Sequence, residues 1–184
     1  MAERGAPLRN LYLLRHTKSS WDDPTLDDFE RPLTGRGRKA ARRMAAHLTA
    51  AGIRPALVLV SAAQRTRATY DAMRAALDGV PMAIEDGLYE AGKSELMERL
   101  RYLDDHLGSV MLIGHNPGLE RLTQGLIHGH GDEQAVARLK EKFPTGALAV
   151  LEADIDRWAK LAGGTCRLVD FVRPKDLGDP EGEE

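Results

Sequence analysis

The sequence predicts a three-layer α/β/α domain on a mostly parallel central sheet. Short apolar runs alternate along the chain with segments of helical apolar spacing, the pattern of strand-helix-strand units. Several of these runs are apolar throughout and bounded by Pro, Ser or Gly, which reads as buried strand. The 184 residues, 42% of them hydrophobic, suit one domain with a substantial core.

The first strand covers Leu11 to Leu14 and ends in Arg15-His16-Thr17. A polar stretch from Lys18 to Arg31 follows, with Trp21 and several acids, and reads as a surface loop. Thr34 is the expected N-cap of a helix from about Gly35 to Ala51. Ala40, Ala41, Met44, Ala45 and Leu48 fall on its inner stripe, and Gly52 stops it. A second strand, Ala56 to Val60, leads into a helix from Gln64 to Leu77. Pro81 to Glu85 is a third strand, and Ser94 to Leu107 a helix with Leu96, Leu100, Leu103 and Leu107 inward. Val110 to Ile113 is the fourth strand, and Pro117 suits the first turn of a helix ending near Ile127. Asp132 to Lys142 is the last helix. Ala147 to Leu151 and Arg167 to Val172 are two further strands around a connection that contains Trp158. No repeat or internal boundary divides residues 1–173. Residues 174–184 are polar and acidic and read as a flexible tail.

The net charge of -2 argues against a general nucleic-acid or membrane-surface binder. There is no apolar run long enough to span a bilayer. The first ten residues lack the apolar core of a secretory signal. Cys166 is the single cysteine, so no internal disulfide or cysteine-based zinc site is expected. These points predict a cytoplasmic, monomeric, metal-independent and cofactor-free protein.

Three strand ends carry groups that fit one site. The first delivers Arg15 and His16, the second ends at Ser61 with Arg65 close behind, and the fourth ends at Gly114-His115. If the strands are parallel neighbours, these side chains meet at one carboxyl edge, where open α/β sheets bind ligands. Two arginines and two histidines make a pocket for a tetrahedral dianion. A neutral His16 can attack phosphorus and split one hard step into two. Arg15, Arg65 and His115 can then hold the non-bridging oxygens. Glu90, in Leu88-Tyr89-Glu90, is a candidate acid for the leaving group.

The blocks around these residues resemble the histidine phosphatase superfamily, the phosphoglycerate mutase-like group. Leu13-Leu14-Arg15-His16-Thr17 is similar to its Arg-His-Gly block, with His16 at the nucleophile position. Arg31-Pro32-Leu33-Thr34-Gly35-Arg36-Gly37 resembles the segment that opens the first helix. Ser61 to Thr69 resembles the Ser-x-x-x-Arg-x-x-x-Thr block and places Arg65 at the second phosphate-binding arginine. Ile113-Gly114-His115-Asn116 resembles the second-histidine block, and Leu88-x-Glu90 the proton-donor segment. The resemblance covers Leu11 to Val172 and implies a phosphoglycerate mutase-like fold. It also implies a phosphatase working through a phosphohistidine intermediate.

One departure is Thr17 where the family usually has Gly, so the turn after His16 must suit a β-branched residue. Asp22 sits where mutase-like members often carry Asn, and that role is not carried over. Only about one helix and one strand separate Glu90 from His115, which leaves no room for a cap insertion. The compact form is similar to the SixA-type phosphohistidine phosphatases. The implied substrate is a phosphohistidine protein, with a small phosphomonoester as the alternative. A mutase lacks support without the insertion, and a silent phosphate-binding module is disfavoured by the intact His16.

Other features read as ordinary surface. His47 and His106 lie in helix patterns, and His128 and His130 flank Gly129 with no third metal ligand near in sequence. Gly35-Arg36-Gly37 follows no apolar strand and is not a dinucleotide loop. Arg67 competes with Arg65 as the phosphate ligand, and the motif spacing favours Arg65. Trp21 either shapes the mouth of the site or covers the core edge.

Overall fold

The computed structural model describes residues 7–178. Six strands form one sheet: β1 (Arg9–Arg15), β2 (Leu57–Ser61), β3 (Met82–Glu85), β4 (Ser109–Gly114), β5 (Leu148–Ala153) and β6 (Cys166–Val172). Their spatial order is β3-β2-β4-β1-β5-β6. The β3-β2, β2-β4 and β4-β1 pairs are parallel, while β5 pairs antiparallel with both β1 and β6. Only β5 therefore runs against the rest. Five α-helices complete the layers: α1 (Gly35–Ala50), α2 (Gln64–Met73), α3 (Lys93–Arg101), α4 (Gly118–Ile127) and α5 (Glu133–Glu141).

The alternation of strand side chains builds two cores. Leu11 and Leu13 of β1, with Leu59, Val110 and Leu112, face the layer of α3, α4 and α5. Tyr12 and Leu14, with Val58, Val60, Met111 and Ile113, face α1 and α2 through Met44, Leu48, Tyr70 and Met73. Thr34 caps α1 as expected, its hydroxyl accepting from the Gly37 amide at 2.9 Å.

Three boundaries differ from the sequence reading. The helix expected to reach Leu107 ends at Arg101. Beyond it, the Asp104 carboxylate takes the His106 amide at 2.8 Å, a donor that a longer helix would use, and the free carbonyls that follow meet other elements. Arg9 donates to the carbonyls of Asp105 and Leu107 at 3.0 and 2.9 Å, and the Trp158 indole donates to Leu107 at 2.8 Å. The helix expected from Gln64 to Leu77 tightens into a 3-10 turn at Arg74–Leu77. Of the segment read as a tail, Pro174–Asp176 forms a 3-10 turn in which Asp176 takes the Arg173 guanidinium, and Leu177 packs against the α1–α2 core. Packed structure thus continues past the boundary expected at residue 173. Residues 179–184, the rest of that segment, lie outside the described residues.

Candidate active site

The strand order places the carboxyl ends of β2, β4 and β1 side by side. Arg15 ends β1 opposite Gly114 of β4, and the His16 amide continues the pairing by donating to the Gly114 carbonyl at 3.1 Å. Arg15, His16, Arg65 and His115 line one cavity of about 270 Å³ at this edge. Lys18, Ser19, Trp21, Arg31, Asn116 and Thr145 complete its wall.

His16 is buried, and its Nδ1 lies 2.7 Å from the Thr17 carbonyl. A carbonyl can only accept, so Nδ1 carries the hydrogen and Nε2 keeps its lone pair. Burial pushes the imidazole down to about 4, opposed by the Thr17 contact and helped by Arg65, Arg15 and Arg31. The ring is neutral at neutral pH. His115 is buried beside it, ring centroids 5.4 Å apart, with Nε2 2.7 Å from the Ser61 hydroxyl. Burial first, then the His16 and Arg65 charges, push His115 down to about 3.

Each arginine is anchored at its tip. Arg15 donates from Nη1 to the Phe143 carbonyl at 2.9 Å. Arg65 donates from Nη1 to the Asp28 carbonyl at 2.7 Å and from Nη2 to the Asp28 carboxylate at 3.0 Å. The Nε of Arg15, the Nε of Arg65 and the Nδ1 of His115 are buried without a hydrogen-bond partner in the protein. A buried donor left unpaired is costly. Three on residues around one cavity suit an anionic ligand with several acceptor oxygens. Arg67, the competing arginine, is exposed on the far side of the helix turn and does not line the cavity.

The turn after His16 accommodates threonine without positive φ. The Thr17 amide donates to the Thr69 hydroxyl at 3.1 Å, which itself donates to the Arg65 carbonyl at 2.7 Å. The turn after His16 is thereby tied to the helix that carries Arg65. Gly146 makes room on the other side. A Cβ there would meet Thr17 Cγ2 at 3.2 Å and Pro174 Cγ at 2.8 Å, and its φ of +77° favours glycine in any case.

A family model for the histidine phosphatase superfamily (branch 1) matches residues 11–141. The chain belongs to the histidine phosphatase superfamily. It is similar to a candidate phosphohistidine phosphatase SixA from Agrobacterium tumefaciens, at 32% identity and a TM-score of 0.77, over 92% of this chain and 100% of that one. The fold also matches a protein histidine phosphatase SixA in complex with tungstate, at 22% identity and a TM-score of 0.73, over 91% and 98% of the two chains. An uncharacterized protein of Mycobacterium tuberculosis is 32% identical over 163 residues, 88% of this chain and 100% of its own. An uncharacterized chloroplastic protein of Arabidopsis thaliana is 35% identical over 128 residues, 64% of this chain; the match spans 59% of that protein's length.

This histidine phosphatase holds its second arginine through Asp28, which sequence reasoning missed. Besides Arg65, the Asp28 carboxylate accepts from Tyr89 Oη at 2.5 Å and from Arg31 Nε at 3.0 Å. The Tyr89 hydroxyl, more than the two arginines, holds the carboxyl down at about 2. The Tyr89 ring meets His115 edge-on at 5.6 Å, so the Asp28 cluster braces both Arg65 and His115. Trp21 is 72% exposed and covers the Arg31 guanidinium at 3.5 Å, which makes it part of the mouth and not of the core. Asn116 also donates to the Phe143 carbonyl, at 3.1 Å, beside Arg15.

Glu90 stands apart from the four converging residues. It is exposed on the turn after Tyr89, with φ of 54°, and does not line the cavity. The turn is pinned by Gly118, where a Cβ would lie 2.1 Å from the Ala91 carbonyl oxygen. Among the described residues no group of three or more His, Cys, Asp and Glu side chains is placed to hold a metal ion. No described helix is long and apolar enough to cross a membrane.

Proposed function

We propose that this chain is a phosphohistidine phosphatase that works through a phosphoryl group carried on His16. The hydrogen bond from His16 Nδ1 to the Thr17 carbonyl carries the reading, because it presents Nε2 as a lone pair in a cationic pocket. Nε2 attacks phosphorus, a P–N bond forms, and the bond from phosphorus to the leaving group breaks. Arg15 and Arg65 hold the equatorial oxygens through their Nε groups as charge redistributes. Ser61 accepts from the Ala63 amide at 3.4 Å, so its own hydrogen is free to go to His115 Nε2. His115 then donates to phosphate from Nδ1. Water next attacks the phosphohistidine, inorganic phosphate leaves, and the imidazole is restored.

The cavity wall contains no carboxylate, and this favours phosphohistidine over an alkyl ester as substrate. A phosphorylated imidazole takes a proton from water on its far nitrogen and leaves as a neutral ring. An alkoxide needs a nearby acid. Glu90, exposed outside the cavity wall, is the proposed acid for ester substrates. The test compares a phosphohistidine peptide with an alkyl phosphate, using the native protein and Glu90→Gln. Faster turnover of the peptide, and a loss in Glu90→Gln confined to the alkyl ester, are expected. Preference for the alkyl ester would overturn the substrate class.

A further inference from the structure

A groove of about 590 Å³ lies outside the His16 pocket and does not contain His16. It adjoins the catalytic pocket: Lys18 and Thr145 line both. Its other cations are Arg36, Lys39, Arg43, Arg173 and Lys175, and no carboxylate lines it. We propose that this groove is a docking site for acidic residues that flank the phosphohistidine of a protein substrate. The proposal rests on the phosphatase reading and names the substrate chemistry of that same site.

Helix α1 supplies the strongest argument. It contains no Asp or Glu, and its first turn carries cations where a helix favours anions. Arg36, Lys39 and Arg43 are spaced three and four apart, so like charges share one face. Neither choice helps the helix, and both make sense for an anionic partner. The Arg173 charge is already met by Asp176 and Glu141. Lys18, Arg36 and Lys175 are exposed.

The groove is coupled to the chemistry by backbone. Gly146, next to Thr145, donates to the carbonyls of Arg15 and His16 at 3.0 and 2.9 Å. Its cations come from three separate segments: α1, the loop after β1 and the turn after β6. Charges so distributed suit several separated carboxylates. A single compact dianion is better held by convergent buried guanidinium groups, as in the catalytic pocket.

The test measures kcat/KM for phosphohistidine peptides whose flanks carry Asp and Glu, Ala, or Lys. For the native protein, acidic flanks are expected to raise kcat/KM about five- to tenfold over Ala flanks, an advantage lost at high salt. In Arg36→Glu with Lys175→Glu the order is expected to invert, with Lys flanks preferred. That inversion is a readout that a merely structural role for these residues would not produce. Equal rates for all flanks in the native protein would overturn the proposal, as would a preference that survives charge reversal. Preference for a small bisphosphate over every peptide would also overturn it, in favour of a metabolite site. If no phosphohistidine peptide turns over, the phosphatase reading itself fails. The groove is then read by binding of the unphosphorylated peptides, where equal affinity for acidic and Ala flanks overturns it.

Discussion

Arg65 and Arg67 lie two residues apart on one helix, yet only one can serve the site. Arg65 is buried, with its tip fixed by Asp28 and its Nε left without a protein partner, while Arg67 is exposed. Removing a donor aimed at developing charge costs about 10²- to 10³-fold in rate. Arg65→Ala is expected to lose kcat on that scale, and Arg67→Ala to stay close to the native value. Steady-state kinetics on an aryl phosphate decides it, and equal losses would contradict the assignment. At this scale the convergence of Arg15, His16, Arg65 and His115 on one cavity was legible, because each lies at or shortly after the end of a strand. Asp28 was not legible. It reaches Arg65 and Tyr89 only through the path of the loop from Lys18 to Arg31, and loop paths carry no periodicity to read.

At the scale of elements, the two ends of β1 do different work. Its carboxyl end carries Arg15 and leads into His16. Its amino end carries Arg9, whose guanidinium donates to the carbonyls of Asp105, Leu107 and Asp156 at 3.0, 2.9 and 2.7 Å. These contacts tie the end of the α3 segment to the connection before β6. Arg9→Met strands those carbonyls, and a net hydrogen bond is worth about 1 kcal/mol. A loss of roughly 2–3 kcal/mol in denaturant unfolding is therefore expected, with kcat unchanged. A large fall in kcat with unchanged stability would contradict this division. The Asp104 carboxylate, which takes the His106 amide at 2.8 Å, explains why the apolar spacing of Leu96, Leu100, Leu103 and Leu107 over-predicted α3. Leu103 is buried as a helical stripe would have it, but its backbone is no longer helical. Periodicity reports burial, and burial outlasts the helix here.

At the scale of the whole molecule, the site makes the fold sensitive to acid. His16 and His115 sit at about 4 and about 3, below the ordinary value of 6.5. Between those values the unfolded chain binds more protons than the native one, so stability falls as pH drops. The loss begins below about pH 6.5 and amounts to roughly 2 kcal/mol for each histidine by pH 5. Urea unfolding at pH 7 and pH 5 measures it, and equal stability at the two values would contradict the buried, neutral pair. The three-layer architecture was legible from the strand-helix alternation alone. The reversal of β5 was not, because an apolar run reads the same in either direction.

His16 is the group proposed to take the phosphoryl. The most direct measurement mixes the protein with a labelled phosphodonor, quenches in alkali and maps the label. The expected result is an alkali-stable, acid-labile label on His16 that forms and decays at rates consistent with turnover, and its absence from an inactive His16→Ala variant. Efficient turnover by His16→Ala, or a label on another residue, would contradict it.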